Sequence, residues 1–126
     1  MHEIILKKYF EGKIDFDQLN DDLIGVSVKR GPKETSQEIV DMDQEFLVKP
    51  EHIIGLLQDV IIGKIEPGYL EPISFALMGS DYFIFDYEDT KTDLTLKLLH
   101  EWASPEINYE LNLENIKRCL QELERV

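Results

Sequence analysis

Leu57-Gln58-Asp59-Val60-Ile61-Ile62-Gly63-Lys64-Ile65-Glu66, with Leu70 beyond it, repeats in outline an earlier stretch of the same chain, Leu6-Lys7-Lys8-Tyr9-Phe10-Glu11-Gly12-Lys13-Ile14-Asp15, with Leu19 beyond it. Each copy reads as an apolar helix closed by a glycine, a short link and a second helix, because glycine just past a helix end accepts the left-handed conformation without penalty. The second helices carry their own start signals. Asp15 suits an N-cap with Gln18 placed to complete a capping box, and Ile14 and Leu19 have the spacing of a hydrophobic staple. Pro67 suits a first helical position, and Ile65 and Leu70 repeat the staple spacing. Two helix hairpins are therefore expected, over residues 4–24 and 53–78. Because the matching stretch is short, duplication and chance recurrence of a common motif both stand as its origin.

Outward from these hairpins the pattern stays helical. Pro50-Glu51-His52 opens a helix whose Ile53, Ile54, Leu56, Leu57, Val60 and Ile61 cover more than one face, which predicts a central, buried helix over 50–62. Leu70, Ile73 and Leu77 predict the next, over 67–78, ended by Gly79. Leu94, Leu98 and Trp102, with Leu99 beside them, predict a helix over 91–103 before Ser104-Pro105 breaks the pattern. Asn112 caps a last helix over 112–125 with Leu113, Ile116, Leu120 and Leu123 in one stripe and Cys119 next to it, so Cys119 reads as a core thiol. Ile39, Met42 and Phe46 are spaced for a short acidic helix between residues 37 and 46. Residues 25–36, with Lys29-Arg30-Gly31-Pro32-Lys33, read as an exposed loop. Residues 82–87, where Phe83, Phe85 and Tyr87 alternate, read as one short strand or an extended link. The fold class expected is all-α, a compact bundle of about six or seven helices in one domain spanning 1–126.

Composition narrows the partners. The chain has 126 residues, 43% hydrophobic, with 13 Lys and Arg against 26 Asp and Glu and a formal net charge of −13. Nucleic acid binds chiefly through phosphate neutralisation by Lys and Arg, so a surface of this sign repels it, and it repels anionic membranes in the same way. A basic protein is favoured instead, since complementary fields raise association rates by roughly 10- to 1,000-fold at low salt. The acidity also serves plain solubility. Cys119 is the single cysteine, which gives no disulfide framework and points to a reducing compartment. The N-terminal residues carry no targeting pattern, and no stretch approaches the length of a membrane span, so a cytoplasmic location is expected.

Catalytic and metal-binding patterns fail on spacing. His2, His52 and His100 fall in different helices, and His100-Glu101 continues as Trp102-Ala103-Ser104, which is no zinc helix. Asp41-Met42-Asp43-Gln44-Glu45 begins like a calcium loop, but Phe46 stands where the turn glycine is needed and His52 where the bidentate glutamate belongs. Asp15 and Asp17 fail likewise, with Leu19 at a ligand position. No nucleophile elbow, phosphate-cradling loop or dinucleotide fingerprint occurs. The reading is a protein that is not an enzyme and holds no metal or cofactor, with a small enzyme whose site is assembled from carboxylates distant in the sequence as a third class left open.

For a binding protein, the favoured site joins steering carboxylates to aromatic anchors. Asp81, Tyr82, Phe83, Asp86, Tyr87, Glu88 and Asp89, in a run with Phe85 and no basic residue, fit that description best. The competing reading puts the aromatics in the core and the acids in solvent. Glu38, Asp41, Asp43 and Glu45 form a second candidate on the expected acidic helix, and Asp17, Asp21 and Asp22 a third; both are most simply solvated faces.

In size, acidity, helical content and the form "apolar helix, Gly-Lys-Ile-Asp/Glu, capped helix", the chain resembles the small immunity proteins of bacterial contact-dependent inhibition and related polymorphic toxin systems. Residues 50–123 carry most of the likeness, through Gly63-Lys64-Ile65-Glu66, the helix with Leu70 to Leu77, and Trp102-Ala103-Ser104-Pro105-Glu106-Ile107-Asn108 before the final helix. The resemblance implies tight, stoichiometric binding to a cognate toxin domain, often a basic nuclease. The alternative is an acidic helical adaptor or regulatory domain with another basic partner. Oligomeric state is not legible at this level.

Overall fold

The computed structural model describes residues 1–29, 35–104 and 110–125, with side chains for all of these except 27–29, 35 and 36. Six α-helices dominate the described residues: α1 (Glu3–Phe10), α2 (Phe16–Leu23), α3 (Pro50–Ile61), α4 (Leu70–Gly79), α5 (Thr92–Ala103) and α6 (Leu113–Arg125). Four short strands, β1 (Ser27–Lys29), β2 (Thr35–Gln37), β3 (Phe46–Val48) and β4 (Phe83–Phe85), make one antiparallel and one parallel pair. The expected mostly helical, compact architecture holds. Among the described residues no helix is long and apolar enough to cross a membrane.

Both glycine-closed helix ends form, and their likeness extends to individual hydrogen bonds; α1 and α2 pack on each other as a hairpin, whereas α3 packs on α6 and α4 on α5. At the end of α1, Gly12 N–H donates to the Tyr9 carbonyl (3.1 Å) and Lys13 N–H to that of Lys8 (2.9 Å). At the end of α3, the equivalent Gly63 N–H donates to Val60 (3.1 Å) and Lys64 N–H to Asp59 (2.9 Å). Both are Schellman turns, which satisfy carbonyls that a helix end leaves orphaned. The glycines take φ +75° and +85°. Asp15 caps α2 by accepting from Asp17 and Gln18 N–H, and Pro67 opens a 3-10 turn, Pro67–Tyr69, that leads into α4. Leu6 and Leu57, and Leu19 and Leu70, occupy matching positions of the two copies and are all fully buried.

α3 packs chiefly on α6 and also touches α5, and it buries Pro50, Ile53, Leu56, Leu57 and Val60; α4 packs along α5, the helix that touches α3, α4 and α6. α5 contributes Leu98, Leu99 and Trp102, and α6 contributes Ile116, Cys119 and Leu123. Cys119 is a core thiol, and burial raises its pKa above the ordinary thiol value. Asn112 caps α6 by accepting Asn115 N–H at 2.9 Å.

Two expectations are corrected. Residues 25–36 are not wholly loop: β1 pairs with β2 in the register Ser27↔Gln37, while residues 30–34 at its centre lie outside the described residues, as do 105–108 of the Trp102–Asn108 stretch. The acidic helix expected between 37 and 46 does not form. Its backbone is committed elsewhere: Glu38 N–H donates to Val26 (2.7 Å), Val40 N–H to Met1 (2.8 Å), and Met42 N–H to the carboxylate of the buried Glu3 (3.1 Å). Met42 is buried and Ile39 and Phe46 half-buried, so the inward residues were correctly identified. What failed was the local geometry, because partners distant in sequence outbid the helix for the N–H groups.

Candidate functional site

β3 and β4 pair in parallel, Phe46 opposite Phe83, Leu47 opposite Ile84 and Val48 opposite Phe85. Ser80 Oγ accepts the N–H groups of Tyr82 (2.9 Å) and Phe83 (3.3 Å), turning the chain out of α4, and the Tyr82 carbonyl then accepts Phe46 N–H at 2.9 Å. Strand alternation sends Phe83 and Val48 into the core, with the Phe46 and Phe83 rings edge to face at 6.3 Å, and turns Leu47 (37% exposed) and Ile84 (39%) outward side by side.

This pairing unites two acidic runs that are far apart in the chain. Asp43 and Glu45 precede β3, Asp81 precedes β4, and parallel strands begin at the same end of the sheet, so these exposed carboxylates gather at one end of the Leu47–Ile84 pair. Beyond the other end of β4 stand Asp86, the 74%-exposed Tyr87 and Glu88. Asp86 and Asp89 also hold the loop: Asp86 Oδ1 accepts Glu88 N–H (3.0 Å), Asp89 Oδ1 accepts Lys91 N–H (2.8 Å), and Thr92 donates its hydroxyl to the Asp86 carbonyl (2.6 Å).

The candidates from sequence divide accordingly. Asp81, Asp86, Tyr87 and Glu88 are exposed, and Tyr82 and Asp89 half-buried. Phe83 is 4% exposed and is corrected to a core residue, since its inward strand position seals it beneath the sheet. Glu38, Asp41, Asp43 and Glu45 are exposed, but along the irregular segment between β2 and β3 rather than on a helix face. Asp41 borders a recess of about 210 Å³ with Ile39 and the half-exposed Phe75, apart from β3. In the third cluster, Asp22 accepts both the N–H (2.6 Å) and Nδ1 (2.8 Å) of His2, and so is tied into the fold. Leu47 and Ile84 were missed; the short β-prone apolar run Phe46-Leu47-Val48, like Phe83-Ile84-Phe85, was the available signal.

A second feature was invisible in the sequence. An open cleft of about 470 Å³ lies between the α1–α2 hairpin and α3 with the turn that follows it, walled by Tyr9, Phe10 and Phe16 on one side and by His52, Gly55, Asp59 and Lys64 on the other. Tyr9 donates its hydroxyl to Asp59 Oδ2, and Asn20 Nδ2 donates to the Lys64 carbonyl at 2.8 Å, so polar bonds tie the two sides. Burial, with the Asp59 carboxylate beside it, pushes the Tyr9 phenol far above its ordinary range and keeps it protonated. The His52 ring packs tilted against Phe10 (5.4 Å) and Phe46 (5.0 Å), which stack on each other at 6.0 Å, and burial lowers its pKa. Its Nδ1 accepts Lys49 N–H at 2.9 Å while its own N–H donates to the Lys49 carbonyl at 3.0 Å, so histidine fills the reciprocal role usually taken by Glu or Gln at the third position of a helix.

Among the described residues no group of three or more His, Cys, Asp or Glu side chains is arranged to hold a metal ion. The fold and this surface define a mostly helical domain with an acidic, apolar-centred face. No protein-family model, curated protein or solved structure matches the chain.

Proposed function

We propose that this protein binds a basic protein through the β3–β4 face, as an immunity protein that neutralises a cognate toxin domain by stoichiometric inhibition. The observation that carries the reading is the parallel pairing that gathers Asp43, Glu45 and Asp81 at one end of an exposed Leu47–Ile84 pair. The two halves of that surface suit the two demands on an inhibitor. Carboxylates speed encounter with a cationic surface, and a nuclease is cationic where it grips phosphate. Leu47, Ile84 and Tyr87 supply apolar area whose burial slows release.

The test is capture from the native lysate with the tagged protein, washed at moderate salt and read by mass spectrometry, followed by kinetics with two variants. Glu45→Lys/Asp81→Lys/Glu88→Lys leaves the turn bonds of Asp86 and Asp89 intact and is expected to slow association; Leu47→Ser/Ile84→Ser is expected to speed dissociation. Deleting the gene is expected to sensitise the cell to the captured protein. Unchanged kinetics in both variants would move the site off this face. A basic partner that is harmless to the deleted strain would replace inhibition with an adaptor or regulatory role.

A further inference from the structure

The cleft between the α1–α2 hairpin and α3 has a feature that packing does not explain. Gly55 stands in the interior of α3, where glycine is a poor helix residue. A Cβ built there meets no atom within 4 Å, so no neighbour requires the glycine. The missing side chain does preserve open volume, because Gly55 lines the cleft. A local rule broken without a packing gain is a mark of a functional position.

The walls specify what that volume suits. Asp15, Glu51 and Asp59 line it against one cationic side chain, Lys64, so an anion is repelled. Phe10 and Phe16 offer ring surface, and the chain already uses it for a cation: the Lys64 ammonium lies 5.1 Å from the centre of the Phe16 ring. At about 470 Å³ the cleft is within the size range of small-molecule sites.

We propose that this cleft binds an organic cation, an ammonium or guanidinium group on a short apolar chain, with Phe10 and Phe16 as its walls, Asp59 and Glu51 as its counter-charges and Gly55 as its cleared floor. The entering cation takes the place of the Lys64 ammonium on Phe16. The same chemistry arises from a free small amine or from an arginine side chain presented by a polypeptide. The proposal does not depend on the β3–β4 face.

The experiment is an NMR titration of the full chain with butylguanidine, with pentanoate as the anionic control and N-acetylargininamide as the polypeptide-borne form. Saturable shifts centred on Phe10, Phe16 and His52 are expected with both guanidinium compounds and not with pentanoate. The tighter of the two identifies the source, free or chain-borne. Asp59→Asn, which retains an acceptor for Tyr9, is expected to weaken binding about tenfold through loss of a charge-assisted contact. Glu51→Gln, at an exposed position, is expected to weaken it by a smaller factor and guards against misfolding of the first variant. Gly55→Leu is expected to abolish binding by filling the floor, and Lys64→Ala to tighten it. Absence of saturation, equal shifts with pentanoate, or an unchanged Kd in Asp59→Asn, Glu51→Gln and Gly55→Leu together would overturn the proposal.

Discussion

Gly55, inside α3, and Gly63, in the turn that closes it, sit in opposite conformational regimes. Gly63 has φ +85° with open space around its Cβ position, so Gly63→Ala carries the left-handed strain alone, about 1–2 kcal/mol of lost stability. Gly55 is helical with equal space, so Gly55→Ala gains about 0.5–1 kcal/mol. Chemical denaturation of the two variants checks the pair, and equal signs would contradict these backbone assignments. His52 adds a titrating contact at the start of α3. Burial is the main cause of its lowered folded pKa; Lys49 adds to the lowering and Glu51 opposes it. The unfolded chain, with a pKa near 6.5, therefore takes up this proton more readily. The contribution is complete above about pH 6.5 and is lost as pH falls through the lower folded value. Protonation also removes the Nδ1 acceptor from Lys49 N–H. His52→Gln keeps an acceptor without the titration, so its urea midpoint is expected to fall less than the parent's between pH 7.5 and about 5. Parallel declines in the two proteins would exclude this role for His52.

At the scale of elements, the central packing rests on α3, α5 and α6. Leu98 (2% exposed) on α5 and Ile116 (1%) on α6 are buried in the shared hydrophobic core. Leu98→Ala or Ile116→Ala is expected to cost about 2–5 kcal/mol through lost burial and the cavity left behind, and a loss under about 1 kcal/mol at both sites would contradict this arrangement. These helices were legible because their signals are local: apolar spacing, Asn112 and Asp15 as caps, Pro50 and Pro67 as openers, Gly12 and Gly63 as closers. The segment around Val40 was misread for the complementary reason. Ile39, Met42 and Phe46 have helical spacing, yet nothing in the neighbouring residues announces that Glu38 N–H is taken by Val26 or Phe46 N–H by Tyr82. Among the candidate site residues, Asp81, Asp86, Tyr87 and Glu88 could be chosen by composition. The gathering of Asp81 with Glu45 through β3 and β4 could not, and the cleft required the α1–α2 hairpin to be set beside α3.

For the molecule as a whole, an excess of 26 acidic over 13 basic residues sets a long-range field that individual substitutions alter only in part. Association with a basic partner is therefore expected to slow steeply as salt rises from about 50 to 500 mM, while dissociation from the Leu47–Ile84 surface changes little. Stopped-flow measurements across that range separate the two, and a salt-dependent dissociation rate with constant association would invert the roles given to charge and apolar area. The β3–β4 pairing bears on folding as well. Its two strands are joined through the whole of α3 and α4, so the connection must close before the strands can meet, which places this face among the non-local and entropically late parts of the structure. A ligand seated there recognises the native state and not the unfolded chain. At a hundredfold excess over its Kd, such a ligand contributes about 2.7 kcal/mol to native stability by mass action alone. Whatever occupies this face is thus thermodynamically a folding partner, and a thermal-shift measurement reads its binding without any knowledge of what the complex does.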